Sequence, residues 1–253
     1  MTISNSVWDN YIAGLRKVSE TASQRFLRYL TEHPPVDQQA VNQLIEYAFS
    51  LATKYGEAAA ELSAQMYDAV AALSGVVLDP AVPAATATMS EAAQAVVGTL
   101  KTGNDEIVSG AVGRLVKMAG VDTTMQNAIR DGAQWAWIPR GDTCAFCIAL
   151  GANGWQRASR AQIKGGHAEH IHANCDCTFA VRFNADTDVA GYKPEVYRAM
   201  YDGAEGNSAQ ERINSMRRTF YAENKARLER QGLSEDAKRI ALNQPAAEQY
   251  NVK

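Results

Sequence analysis

"LIEYAFSLATKYGEAAAELSAQMYDAVA", Leu44 to Ala71, decides the fold class. An apolar stripe crosses it in steps of three and four: Leu44, Ala48, Leu51, Tyr55, Ala58, Leu62, Met66 and Ala69, continuing to Leu73. That spacing is helical, and over about four heptads it predicts a long helix burying one face in a bundle or coiled-coil-like seam. Aromatic and Met residues on such a stripe read as core rather than as a binding surface.

Upstream, Trp8, Ile12, Leu15, Val18, Ala22, Phe26 and Leu30 form a second stripe. His33-Pro34-Pro35 stops it, because proline cannot continue a helix. His33 reads as a helix-end residue. Downstream, "GVVLDPAVPAATATMS", Gly75 to Ser90, reads as a Pro/Ala/Thr linker, with Ser90 and Glu91 starting another helix. Helical texture then runs through Glu106–Met118 and again through Thr124–Gly132. The first ~130 residues therefore read as a helical scaffold.

The character changes at "AQWAWIPRGD", where Trp135, Trp137 and Ile138 before Pro139 predict a short strand. "CTFAVRFN" alternates Phe179, Val181 and Phe183 on one face, predicting a second. After Asn184 the texture is helical again, with Ala209, Ile213, Met216 and Phe220 on one face.

Composition bounds the function. The 253 residues carry 46% hydrophobic and 21% charged side chains, which is the profile of a folded chain rather than a disordered one. A formal net charge of -3 gives no global attraction to nucleic acid or anionic membrane, so any such contact needs a local patch. No apolar run approaches the ~20 residues of a membrane span, and "MTISNSVWDNYIAG" lacks a signal-peptide pattern. The expected compartment is a reducing one, where four cysteines point to metal ligation more than to disulfides.

All four cysteines fall in two short stretches, "GDTCAFCIALGANGW" and "HIHANCDCTF": Cys144, Cys147, Cys175 and Cys177. His167, His170 and His172 lie there too. "DTCAFCIALG" reads as a short helix capped by Asp142 or Thr143 and ended by Gly151, with Cys144 and Cys147 on one face of its first turn. Exposed amides there favour thiolate, the metal-binding form. If Cys175 begins the second strand, Cys177 points to the same side. Zinc takes four such donors in a tetrahedron, commonly three Cys and one His or four Cys. Two sets satisfy this: Cys144, Cys147, His172 and Cys175, or the same set with Cys177 replacing His172. The cofactor expected is a structural zinc ion. Arg140, Arg157 and Lys164 stand near enough in sequence to offset a negative site.

No complete catalytic constellation is visible. His167-Ala168-Glu169 with "CAFC" is only superficially like a zinc deaminase, because the order is reversed and no proline precedes Cys144. Clustered thiols argue against a lone Cys nucleophile. The alternative that stays open is a metal-supported, nuclease-like enzyme acting on nucleic acid through Asp142, Asp176, His167 and His170; it lacks paired carboxylates at a catalytic spacing. Neither a Walker A loop nor G-x-G-x-x-G is present.

"W-x-P-R-G-D-T-C-A-F-C" from Trp137 to Cys147, Gly154-Trp155, and "H-A-N-C-D-C" from His172 to Cys177 resemble the C-terminal signature of phage minor head proteins of the Mu protein F-like family. Leu44–Ala71 is similar to the helical region of versions from phages and prophages of Gram-positive bacteria. Ala173 and Asp176 stand where the more usual ending "H-P-x-C-R-C" has Pro and Arg, which leaves the metal-ligand positions in place. The resemblance implies a structural minor capsid protein acting in head morphogenesis near the portal. It would be located in the virion head, and in the bacterial host cytoplasm during assembly. Portal, scaffold or major capsid proteins would be its partners. About 70 residues follow Phe183, short for a fused enzyme domain. Among them Arg212, Arg217, Arg218, Lys225, Arg227 and Arg230 outnumber Glu211, Glu223 and Glu229, giving a basic helix that could contact packaged DNA.

The fold class expected is mainly α: an elongated helical N-terminal region, a small α+β Cys/His metal-stapled unit and a helical C-terminal tail. The expected segments are a helical hairpin or bundle region at 1–78, linker and further helices at 79–133, the α+β unit at 134–184, and the tail at 185–253.

Overall fold

The computed structural model describes residues 2–139, 143–159 and 177–231. The protein is mainly helical. In chain order come β1 (Thr2–Ile3), α1 (Asn5–Glu32), α2 (Gln38–Leu73), α3 (Met89–Leu100), α4 (Asp105–Asp131), β2 (Gln134–Ile138), α5 (Ala145–Gly151), β3 (Gln156–Arg157), β4 (Thr178–Arg182), β5 (Asp188–Val189), α6 (Pro194–Asp202) and α7 (Ala209–Gln231). They divide into two compact units. Residues up to Gln134 with 157–159 and Val181–Asp188 form the first; Trp135–Gln156, Cys177–Ala180 and the chain from Val189 form the second.

Helix boundaries in the first unit follow from local chemistry. The Val7 N–H donates to Ser4 Oγ at the head of α1, and the Ala40 N–H donates to Asp37 Oδ1 at the head of α2 (2.7 Å). Each such cap is worth about 1 kcal/mol. Helix α1 ends at Glu32, before the two prolines, and His33 stacks on Tyr29 at 4.1 Å. Helix α3 begins one step earlier than Ser90 suggests: Thr88 is its cap and forms a reciprocal capping box with Glu91.

The α1 stripe is buried at Trp8, Leu15, Ala22, Phe26 and Leu30. The α2 stripe holds at Leu44, Ala48 and Leu51, then lies one position later than the large residues suggest. Gly56, Ala59, Ser63, Tyr67 and Val70 are buried, whereas Ala58, Ala69 and Leu73 are exposed. One residue is a turn of about 100°, so Tyr55, Leu62 and Met66 sit at the edge of the interface. Helix α4 explains the shift. It is one continuous helix rather than two, and it approaches its neighbours at glycines. A Cβ on Gly120 would stand 2.7 Å from Ser63 Oγ and 3.2 Å from the Ala59 carbonyl oxygen, both on α2. A Cβ on Gly113 would stand 3.1 Å from the Ser19 carbonyl oxygen on α1. Buried Ser63 also hydrogen-bonds Tyr11 Oη of α1 (2.9 Å), so the polar atom left in this tight contact is satisfied. Farther along, Phe26, Leu30, Leu44, Leu51, Val96, Val108, Val112 and Leu115 join α1 to α4 in one apolar cluster.

The Pro/Ala/Thr segment is not a free linker. It is a strap hydrogen-bonded to one face of α4. Pro80 and Pro83 have no N–H to place, and three N–H groups beside them find side-chain acceptors. Ala84 donates to Thr123 Oγ1 (2.9 Å), Val82 to Asn127 Oδ1 (3.0 Å), and Ala81 to Asp68 Oδ1 of α2 (2.9 Å). Asn127 Nδ2 returns a bond to the Val82 carbonyl (2.9 Å), and Arg130 donates to the carbonyls of Pro80 and Asp79. Thr123, Asn127 and Arg130 follow one another at the spacing of a single helical face. Asp131 fixes the Arg130 guanidinium through two bonds of 2.7 and 2.8 Å and accepts a third from the Tyr67 hydroxyl (2.8 Å). Hydrogen bonding to Arg130 holds the Asp131 carboxyl below its usual range. Burial, with Asp131 beside it, pushes the Tyr67 hydroxyl well up, so it stays a donor.

The second unit is built on a sheet of order β3-β2-β4. Both faces of β2 and β4 are covered, whereas β3 is partly exposed. Trp135, Ala136, Trp137 and Ile138 are all buried, and so are Thr178 to Val181. The expected one-sided alternation through Phe179 and Val181 is therefore replaced by two-sided burial, as for a strand with both faces packed. Phe179 receives Trp135 and Trp137 edge-on, each at 4.7 Å between centroids. Ile213, Met216 and Phe220 are the buried face of α7, while Ala209 at its start is exposed.

Two predictions follow from the first unit. Gly120→Val should lower the unfolding free energy by about 1–3 kcal/mol through overpacking, whereas Gly98→Ala, in open space on α3, should raise it by about 0.5–1 kcal/mol; urea melts of both variants check the pair. Asn127→Ala orphans the Val82 N–H and should cost about 1–3 kcal/mol. In limited proteolysis the same variant should be nicked between residues 75 and 88 before the wild type is.

Candidate functional site

Cys144, Cys147 and Cys177 fall in the second unit. Cys144 is the residue before α5, with extended dihedrals (φ -78°, ψ 162°), and its side chain makes no capping bond. The expected cap at Thr143 is thus displaced by one residue, since the cap position falls to the last residue still extended; Asp142 lies outside the described residues. Cys147 is in the first turn of α5 and buried, and Cys177 is buried directly before β4. The strand starts at Thr178. Cys175, His172, His167, His170, Asp176, Arg140 and Lys164 lie outside the described residues. Among the described residues, no three His, Cys, Asp or Glu side chains gather as a metal-binding group.

Short α5 is held at its C-terminal end. Gly151 closes the helix, but its glycine requirement comes from packing: a Cβ there would meet Pro139 Cγ at 2.5 Å. The Tyr192 hydroxyl donates to the Gly151 carbonyl (2.9 Å), and Arg198 donates through Nε and Nη2 to the Ala152 carbonyl (3.1 and 3.0 Å). These bonds take up orphan carbonyls that every helix end leaves. Trp155 packs edge-on to Tyr192 at 5.9 Å. Tyr192 and Arg198 therefore position the cysteine-bearing helix, and nothing in their sequence context distinguishes them from surface residues. Gly154, with φ +67°, makes the turn that follows.

In the basic tail, Arg212 is engaged locally. It pairs with Asp202 (3.4 Å), donates to the Gly206 carbonyl (3.2 Å) and lies 5.4 Å from the Tyr201 ring centre. Arg217 and Arg218 are exposed.

The first unit contains a cavity of about 780 Å³ among the strap, α3 and α4, walled by Glu91, Gln94, Thr99, Arg114, Met118 and Asp122. Asp122 is pushed up to about 6, first by its enclosure and second by the Glu91 carboxylate. Asp122 is nevertheless exposed at the mouth of the cavity, so water screens much of this effect and leaves its upward direction. Between pH 3.8 and about 6 the folded chain therefore holds a proton that the unfolded chain releases. Stability falls as pH rises through that window and is level above it. Relative to Asp122→Asn, the wild type should gain stability as pH is lowered from 7 to 4, read as diverging urea midpoints.

No curated protein and no solved structure matches the chain. A family model described as VG15 protein matches residues 2–204, running from β1 through the helical unit and the cysteine-bearing segment to just past α6. Among the described residues no helix is long and apolar enough to cross a membrane. The chain belongs to the VG15 protein family, a family of phage proteins.

Proposed function

We propose that this chain is a structural minor capsid protein of a tailed phage or prophage, acting in head morphogenesis near the portal. In this reading the long helices of the first unit are the rigid body that meets portal, scaffold or major capsid subunits. The second unit is a small fold stapled by a structural zinc ion. The observation that carries the reading is the single family match across residues 2–204, which takes in the helical scaffold and the Cys-x-x-Cys segment together. The Mu protein F-like signature in Trp137–Cys177 supports the head-protein assignment within that phage family.

The donor set fits zinc. Thiolates with one imidazole, or four thiolates, suit this borderline-soft ion at a closed tetrahedral site. Cys144, Cys147 and Cys175 would be three ligands, with His172 or Cys177 as the fourth. When bound, the ion would supply a cross-link between the start of α5 and the segment leading into β4. The unit has a short sheet and a seven-residue helix around that point, the kind of small core that a metal commonly supplements. Its finished site would have no open coordination position, which is what separates a staple from a catalytic metal.

Elemental analysis of protein made without a histidine tag tests this. The expected result is about one zinc per chain, lost in Cys147→Ser together with heat resistance of the second unit and incorporation into heads. Zinc well below one equivalent, or zinc content untouched by Cys147→Ser, would contradict the staple. Normal heads assembled without this chain would contradict the assembly role.

A further inference from the structure

On the first unit, a polar cleft of about 330 Å³ lies between the C-terminal half of α1 and the N-terminal half of α2. Gln24, Arg25, Arg28, Tyr29, Glu32 and Tyr47 line it. Its floor is a run of packed rings. Tyr29 stacks on His33 at 4.1 Å, touches Tyr47 at 4.2 Å, and Tyr47 faces Phe26 at 6.4 Å. The rim is cationic. Arg25 and Lys54 both lie beside the Tyr55 ring, at 6.0 and 5.8 Å from its centre, so one ring from α2 gathers a charge from each helix. Arg28 is one turn beyond Arg25 on the cleft wall, and Lys17 is on the same helical face farther back.

Among the described residues, Arg25, Arg28, Lys54 and Lys17 have no carboxylate within ion-pair distance, although Arg16 just beside them pairs with Glu20 at 3.4 Å. All four are exposed. Two cations, Arg25 and Arg28, and one carboxylate, Glu32, line the cleft, with Lys17 and Lys54 flanking it and Glu20 of the same strip paired to Arg16, on a chain whose net charge is -3. A local patch of sign opposite to the whole chain is what an anionic partner needs here.

We propose that this cleft and the basic strip around it bind the phosphate backbone of DNA. Lys17 to Arg28 spans about 16 Å of helix, a length over which one strand of a duplex presents several phosphates. Guanidinium, ammonium, Gln amide and Tyr hydroxyl groups are the donors that hold phosphate oxygens without reading sequence. An acidic protein segment is the less suited occupant, because such a partner needs an apolar pocket for an anchor side chain. The rings here are packed on one another and leave none. The binding expected is therefore salt-sensitive and indifferent to base sequence. This site is separate from the cysteine-bearing unit and from the basic face of α7.

Fluorescence anisotropy of a labelled 20-bp duplex of arbitrary sequence with the full chain, between 50 and 200 mM salt, tests the proposal. Binding should be detectable at 50 mM salt, and Arg25→Ala with Arg28→Ala should weaken it tenfold or more and reduce the logarithmic salt slope by about two. Lys17→Gln, an exposed change on the same strip, should reduce the slope by about one. Glu32→Gln should tighten binding. Thermal melts of each variant confirm that the fold is kept. Absent binding at 50 mM salt, or affinity that ignores the α1 substitutions and responds only to Arg217→Ala with Arg218→Ala, would overturn the assignment. So would polyglutamate binding at the α1 arginines with no binding of the duplex.

Discussion

The close approach of α4 to α1 and α2 is the constraint on which the rest of the first unit depends. It is possible only where side chains are small or missing: Gly113 faces α1, and Gly120 faces Ala59 and Ser63. Gly56 of α2 makes room for Thr86 and Ala119 in the same way, with a Cβ there 3.0 Å from Thr86 Cγ2. Helices brought this near gain many dispersion contacts along their length, each small and together large. The gain outweighs the low helix propensity of glycine, which is why α4 runs unbroken through Gly113 and Gly120. The same approach leaves the Thr123–Asn127–Arg130 face of α4 beside the chain that returns from α2. That chain has two prolines without backbone donors, and the polar face supplies partners for the N–H groups of Val82 and Ala84.

The two units then serve different needs. The first buries apolar and small residues across four helices. The second has a three-stranded sheet, two buried tryptophans and short helices, with α5 tied down through its terminal carbonyls by Tyr192 and Arg198. It is the cysteine-bearing unit, and the family match covers it up to residue 204, before α7, together with the first. In the proposed reading, one chain carries a helical body and a zinc-stapled fold into a larger assembly, and its exposed surfaces would carry the function.

Much of the fold was legible in the sequence, and the misses have a common cause. Proline pairs, caps and helical periodicity located α1, α2 and the breaks around them. The strands at Trp135–Ile138 and Phe179–Val181 were legible from β-forming residues. The α2 stripe drifted because the reading followed bulk: Tyr55, Leu62 and Met66 attract attention, while the interface selects Gly56, Ala59 and Ser63. Ala58 and Ala59 differ only in which neighbour they meet, which composition cannot tell. The strap differs from the expected linker for a related reason. Pro/Ala/Thr composition signals a lack of regular structure, and it says nothing about acceptors offered by Thr123 and Asn127 forty residues on. At the candidate site the cysteine pairs stand out in the sequence, whereas Tyr192 and Arg198 act through backbone bonds that no motif announces.

Native-state amide hydrogen exchange on the full chain tests the central claim most directly, because it reads whether strap and helices open together. If α4 organises the first unit, the amides of Ala81, Val82 and Ala84 exchange with opening free energies close to those of the α4 core around Val116 and Ala119. Strap amides exchanging at unprotected rates while α4 remains protected would contradict the account.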